Sequence, residues 1–128
     1  MHSLLLTSVF LAASSLVAAD ALAACTGSNG RGWGRGNGAG AFEMTQADKT
    51  CLISFPGVIN EKAGTRYPAT KYSVTRAPAN GTLKASADGM VYTPKKGFAG
   101  KDVFCTTNRT DKAPGTVLSG CVTVTVAK

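Results

Sequence analysis

Short stretches in which apolar and polar residues alternate dominate the chain from residue 42 onward. They are rich in Val, Thr, Tyr and Phe and are separated by Pro, Gly, Asn or Asp. This pattern is typical of β-strands joined by turns in a sandwich or barrel, and no segment has a convincing helical period. It predicts seven strands, at residues 42–45, 50–55, 71–76, 82–87, 90–93, 102–107 and 116–126.

The last predicted strand has the clearest alternation. Val122, Val124 and Val126 fall on one face and two threonines on the other, which predicts a row of valines facing the core. In the strand before it, Phe104 alternates with Cys105. Phe104 is therefore the expected inward anchor of that strand.

Two dipeptides, Asn80-Gly81 and Asp88-Gly89, have the composition of tight hairpin turns. Both tolerate the positive φ values that such turns need. The second predicts a hairpin over residues 82–93 whose register is fixed by the turn. The expected cross-strand pairs are Ala87 with Met90 and Ala85 with Tyr92.

The four cysteines predict two disulfides. If the last two strands form a hairpin, Cys105 and Cys121 lie opposite one another on its outer face, and their bond contributes about 3 kcal/mol. Cys25 and Cys51 would then tie the start of the mature chain to an early strand. Four cysteines allow three pairings, and spacing alone does not choose among them.

Residues 25–41 are dominated by glycine, with Arg31, Trp33 and Arg35 interleaved. Glycine at this density has a large backbone entropy cost on ordering. The segment is therefore predicted to be an arm or long loop that precedes a single sandwich domain at residues 42–128.

The N-terminal 24 residues have the pattern of a secretory signal peptide. Residues 4–19 are almost entirely apolar or small, and Ala21, Leu22 and Ala23 form a small-x-small cleavage pattern. The segment ending at Cys25 also resembles a lipobox, so acylation of Cys25 remains an alternative. Nothing later in the chain is apolar enough for a transmembrane segment. We expect a periplasmic or secreted protein.

Charge adds a binding hypothesis. The chain has a net charge of +7, and without the signal it has 14 basic and six acidic residues, a net charge of +8. Such a balance favours contact with nucleic acid, acidic polysaccharide or anionic lipid. In single-strand binders arginine contacts phosphate and an aromatic ring stacks on bases. The alternative is that Trp33 packs over the sandwich and the charges serve solubility. The candidate binding residues are Arg31, Trp33, Arg35, Lys95 and Lys96.

Residue types argue against catalysis. The only histidine, His2, lies in the predicted signal, so Ser-His-Asp and Cys-His machinery is excluded from the mature chain. The glycine-rich segment lacks the Lys-Ser/Thr of a phosphate loop. Cysteine pairs with zinc-ligand spacing are absent too. We therefore expect no catalytic residues, no metal and no cofactor.

Residues 72–126 resemble the bacterial immunoglobulin-like or cadherin-like repeat of tandem-repeat surface adhesins. The likeness lies in the motifs at residues 77–82, 91–94, 97–104 and 122–126. It implies an immunoglobulin-like Greek-key β-sandwich in which Tyr92, Phe98 and Phe104 are structural and Asp102 orders the entry to its strand. The chain departs from the family pattern as a single disulfide-bonded domain, with Thr106 where a second aromatic is common.

Taken together, these features predict a non-enzymatic binding or structural module of the bacterial cell envelope or secretome. Its partner is an unidentified protein or an anionic polymer. One alternative is a dedicated polyanion binder, and a second is an inhibitor of a periplasmic or secreted enzyme that inserts the arm as a rigid loop.

Overall fold

The computed structural model describes residues 25–128, which are all-β apart from 3₁₀ turns at Trp33–Arg35 and Gln46–Asp48. The predicted signal peptide, residues 1–24, lies outside the described residues. The strands are β1 (Thr26–Ser28), β2 (Gly38–Thr45), β3 (Cys51–Ser54), β4 (Gly57–Asn60), β5 (Thr65–Pro68), β6 (Lys71–Arg76), β7 (Gly81–Ala85), β8 (Gly89–Pro94), β9 (Gly100–Arg109) and β10 (Leu118–Ala127).

These strands form a five-stranded sheet in the order β1-β2-β10-β9-β6, a three-stranded sheet in the order β3-β8-β7, and a hairpin of β4 and β5. Neighbouring strands are antiparallel except for β2 and β10, which are parallel. The two larger sheets share one core. Its buried residues are Trp33, Phe42, Met44, Cys51, Ile53, Tyr92, Phe104, Leu118, Val122, Val124 and Val126.

The predictions for the last hairpin are confirmed. The three valines of β10 are buried, and Val122 lies opposite the buried Phe104 of β9. Cys105 and Cys121 are directly opposite and form a disulfide. Both are only half-buried, because they alternate with the core-facing residues.

The second disulfide, Cys25–Cys51, is also present, and it ties the segment before β1 to β3. The side-chain amide of Asn29 reinforces this connection by donating to the backbone carbonyl of Ser54 at 2.8 Å. Two disulfides, with no free cysteine among residues 25–128, are typical of an oxidising, non-cytoplasmic compartment. The all-β class and the disulfides are as predicted. The Greek-key detail stays a prediction, and the strands number ten where about seven were expected.

The prediction of a glycine-rich arm over residues 25–41 is wrong at both ends, because Thr26–Ser28 forms β1 of the five-stranded sheet and only Cys25 and residues 29–37 lie outside its strands. Residues from Gly38 onward belong to β2, which lies inside the five-stranded sheet, so the expected domain boundary after residue 41 falls within a strand. Glycine is needed there because the indole of Trp33 covers Gly38, where a Cβ would overlap the ring. Trp33 thus supplies the apolar volume that the glycines of β2 lack.

The predicted hairpin over residues 82–93 is confirmed, but its register and both turn geometries need correction. Asn80, Gly81 and Asp88 have no positive φ, and Asn80-Gly81 leads directly into β7. Gly89 belongs to β8, where a Cβ would overlap the backbone carbonyl of Ile53, so glycine serves close strand packing. Ser86 closes the longer connection by donating both its N–H and its hydroxyl to the carbonyl of Gly89. The observed pairs are Ala85 with Met90 and Leu83 with Tyr92.

Candidate anion-binding sites

One basic cavity, the lysine cavity, opens where β8 ends. It has a volume of about 490 Å³ and is lined by Gln46, Lys49 and residues 93–98, which include Lys95 and Lys96. The amide of Gln46 donates to the carbonyl of Phe98 at 2.9 Å and so joins the two walls. Three lysines around one open cavity form a site suited to a phosphate, sulfate or carboxylate group.

The wall that carries Lys49 is held by a short capped turn. The side chain of Asp48 accepts a hydrogen bond from the N–H of Thr45 at 2.7 Å. The carbonyl of Asp48 accepts one from Thr50 at 2.7 Å, so Lys49 is the central residue of a γ-turn. Lys49 has φ 65° and ψ −46° there, and it is the sole described non-glycine residue with positive φ. That conformation is strained for a residue with a Cβ.

The other wall of the lysine cavity is the turn that comes directly after β8. The N–H of Lys95 donates to the carbonyl of Asn80 at 2.8 Å, and the N–H of Phe98 donates back to Lys95 at 3.0 Å. Gly97 takes φ 83° between them, which closes the turn. The backbone of the two lysines is therefore fixed while their side chains are exposed.

A second cavity, the arginine cavity, has a volume of about 460 Å³ and is lined by Arg31, Gly32, Arg35 and Asn37. The carbonyl of Gly32 accepts hydrogen bonds from the N–H groups of Arg35 and Asn37, each at 3.0 Å. Gly32 itself has φ 96°, which allows the chain to turn back at this point. The turn brings two exposed guanidinium groups to one cavity.

Trp33 does not line the arginine cavity. Its side chain is 6% exposed, and its indole N–H donates to the carbonyl of Asn29 at 2.6 Å. A ring held in this way has no free face for base stacking, so the stacking role considered for Trp33 does not fit the structure. The enzyme-inhibitor alternative stays a prediction, and the loop that it would use between β1 and β2 is residues 29–37.

The structure therefore groups the predicted binding residues into two pairs. Arg31 and Arg35 share the arginine cavity, and Lys95 and Lys96 share the lysine cavity. Neither cavity is lined by members of both pairs. Lys49 and Gln46 were missed, because nothing in the local sequence links residue 49 to the end of β8.

The charge of the described residues is almost wholly at the surface. All 14 lysine and arginine side chains lie within residues 25–128 and all are exposed. Only Lys71 has an ion-pair partner in that part of the chain, namely Asp111 at 3.2 Å. Most of the positive charge is thus unpaired and faces solvent.

Asp102 is the one buried acid of the described residues, at 3% exposure. Its carboxylate accepts hydrogen bonds from the N–H groups of Ala79 (2.9 Å) and Asn80 (3.0 Å) and from the hydroxyl of Tyr92 (2.7 Å). Burial, together with the hydrogen bond and the charge of Asp102, raises the pKa of Tyr92. Asp102 therefore fixes the link between β6 and β7, whereas the resemblance implied that it orders the corner leading into its own strand.

Residues 25–128 hold no group of three or more His, Cys, Asp or Glu side chains placed to share a metal ion. Within the same residues, no helix has the length and apolar character needed to cross a membrane. Comparisons with protein-family models, with curated proteins and with solved structures find no match for this chain.

Proposed function

We propose that this protein is a non-enzymatic, exported binding module of the bacterial cell envelope or secretome that binds an anionic polymer. The observation that carries the proposal is the exposure of all 14 cationic side chains with a single ion pair among the described residues. Unpaired surface charge of one sign attracts polyanions and also keeps the protein soluble. The polymer is an acidic polysaccharide or a nucleic acid met in the periplasm or outside the cell.

The two cavities are the contact points in this proposal. The lysine cavity offers ammonium groups as point charges, and the arginine cavity offers two planar guanidinium forks that hold phosphate or carboxylate oxygens bidentately. Because Trp33 is buried, recognition is electrostatic and has no base-stacking component. Affinity should therefore follow charge density along the polymer and fall with added salt.

The experiment compares binding of the oxidised protein to duplex DNA and to heparin at low and moderate salt. Three neutralised phosphates would lower the affinity for DNA by roughly 40-fold between 50 and 200 mM salt. The variants Lys95→Ala/Lys96→Ala and Arg31→Ala/Arg35→Ala each remove two charges from one cavity. A matched control, Lys62→Ala/Lys84→Ala, removes two exposed charges that line neither cavity.

We expect each cavity variant to bind more weakly than the control and with a shallower salt dependence. Equal weakening by the control would show that net charge, and not the cavities, drives binding. The proposal as a whole would be contradicted if the native protein bound neither DNA nor heparin, or if its binding to both were independent of salt.

A further inference from the structure

Strand β6 is an edge of the five-stranded sheet, since its only neighbour there is β9. All six of its residues, Lys71–Arg76, are exposed, whereas β2 alternates buried with exposed positions and β9 and β10 alternate buried with half-buried ones. An edge strand presents a row of backbone groups that a further strand can pair with. β6 thus extends the sheet beyond the part that the second sheet covers.

The inner face of β6 is apolar and only partly covered by other residues. Tyr72 lies opposite Asn108 and Val74 opposite Thr106, and both partners in β9 are buried on the core side. Paired residues share a face of a sheet. Tyr72 and Val74 nevertheless remain 41% exposed, and the ring of Phe55, stacked on Tyr72 at 5.7 Å, is the aromatic cover there.

The outer face of β6 is basic. Lys71 lies opposite Arg109, and Arg76 follows a bulge after Val74 and lies opposite Cys105, on the face turned away from the core. Lys71 already holds one carboxylate, that of Asp111, at 3.2 Å. The strand therefore offers an apolar inner face together with a cationic outer face that takes a carboxylate.

Charge decides between a second copy and a different strand as the occupant. In an antiparallel pairing of β6 with itself that keeps the apolar residues on one face, Ser73 lies opposite Ser73, and Lys71 lies opposite Thr75, directly beside Arg76 of the other copy. Like charges brought close together across a strand pair are destabilising, and a bulge with flanking cations is a common protection against such self-pairing. A strand that alternates acidic and apolar residues meets no such repulsion, because its acids face Lys71 and Arg76.

We infer that β6 is a docking edge for an extended acidic polypeptide segment that adds to the five-stranded sheet as a sixth strand. Backbone hydrogen bonds hold the segment, its apolar side chains lie beside Tyr72 and Val74, and its carboxylates face Lys71 and Arg76. This inference does not rest on the lysine or arginine cavity, which lie elsewhere on the chain.

The probe is a capped peptide of roughly eight residues in which glutamate and valine alternate, a length that matches the edge. Two peptides of equal charge serve as controls. One carries N-methyl groups on alternate backbone nitrogens, which removes main-chain donors, and the other places the same residues in two blocks. Titration calorimetry gives the affinity, and amide hydrogen exchange shows which strand becomes protected.

We expect saturable binding of the alternating peptide with slower exchange at residues 71–76, and binding about tenfold weaker for both control peptides. The variant Lys71→Glu/Arg76→Glu should lose binding, whereas Lys62→Glu/Lys84→Glu, which changes the net charge equally, should keep most of it. The Lys95→Ala/Lys96→Ala variant should bind the peptide normally, which separates this edge from the proposed polymer site.

Three results would overturn the inference. One is no binding of the alternating peptide, and another is equal binding of all three peptides, which would indicate charge attraction alone. The third is protection of residues 71–76 that grows with protein concentration in the absence of peptide, because it would make a second copy the occupant.

Discussion

The interior of the five-stranded sheet and its basic surface differ in how much they tolerate change. In the interior, the Asp102 carboxylate accepts hydrogen bonds from four donors of other residues, and the indole of Trp33 covers Gly38, so each position is suited to one residue type only. At the surface, Lys95 and Lys96 are exposed on turns whose backbone hydrogen bonds do not use their side chains. The contrast indicates that stability and binding depend on separate sets of residues, which substitutions in each set can test.

The largest effect should come from Asp102→Ala. Four buried or half-buried donors would lose their acceptor, and an unsatisfied buried donor costs on the order of 1–3 kcal/mol. We expect a loss of about 4 kcal/mol in the free energy of unfolding, measured by urea denaturation. The exposed acid Asp88 is the matched control. A similar loss of stability in Asp88→Ala would contradict the difference between interior and surface positions.

Removing the outer-face disulfide should rank second. The double variant Cys105→Ala/Cys121→Ala opens a loop with a sequence separation of 16, for which the loss is about 3 kcal/mol. The half-buried sulfurs leave little cavity, so the effect should act through the unfolded chain. A loss below about 1 kcal/mol would mean that the strand pairing alone holds β9 to β10.

Third is Gly38→Ala, which places a methyl group into the indole of Trp33. Overpacking of this kind costs about 2 kcal/mol. Gly34→Ala is the control from the same glycine-rich segment, because a Cβ at Gly34 meets nothing within 4 Å. Both variants should be compared by thermal unfolding, and equal melting temperatures would contradict the packing of Trp33 on β2.

Tyr92→Phe should be smaller and should depend on pH. Loss of the hydrogen bond to Asp102 costs about 1.5 kcal/mol near neutral pH. The raised pKa of Tyr92 means that the folded chain holds this proton more tightly than the unfolded chain. The stabilisation is therefore complete well below pH 10 and declines as the pH rises above it. The difference in the free energy of unfolding between the native protein and Tyr92→Phe should be smaller at pH 10.5 than at pH 8. An equal difference at both pH values would contradict this assignment.

The smallest effect, and the one of opposite sign, should be Lys49→Gly. Glycine adopts φ 65° without strain, so we expect about 1 kcal/mol of added stability by urea denaturation. In the DNA and heparin assays the same variant should bind more weakly, since the lysine cavity loses one of three cations. Lys62→Gly controls for loss of charge at an exposed position. A destabilised Lys49→Gly would show that the γ-turn is not strained.

The sequence was most informative where partners are close along the chain. β9 and β10 are consecutive strands with clean alternation, so their register, the inward valines and the Cys105–Cys121 bond could all be predicted. β2 also alternates buried with exposed positions, but two of its buried residues are glycines, and the apolar volume they lack comes from Trp33. Because glycine is not hydrophobic, this alternation of buried and exposed positions cannot be recognised from the pattern of apolar residues in the sequence.

The candidate site was predictable only in part, for a related reason. Lys95 and Lys96 are adjacent in sequence and stand out as a charged turn. Lys49 reaches the same cavity only because the fold brings the turn before β3 beside the end of β8. Asn80-Gly81 shows the opposite failure, since a glycine needed for close backbone approach has the same local sequence as one needed for positive φ.

The parallel pairing of β2 with β10 also governs when the fold can be completed. The paired residues are separated by about 80 positions, so β2 stays without its central neighbour until nearly the whole described chain has been made. Contacts of such long sequence separation slow folding. We therefore expect a slow, late closing step that follows synthesis of β10. Until then, the early strands would offer open edges to chaperones or to aggregation.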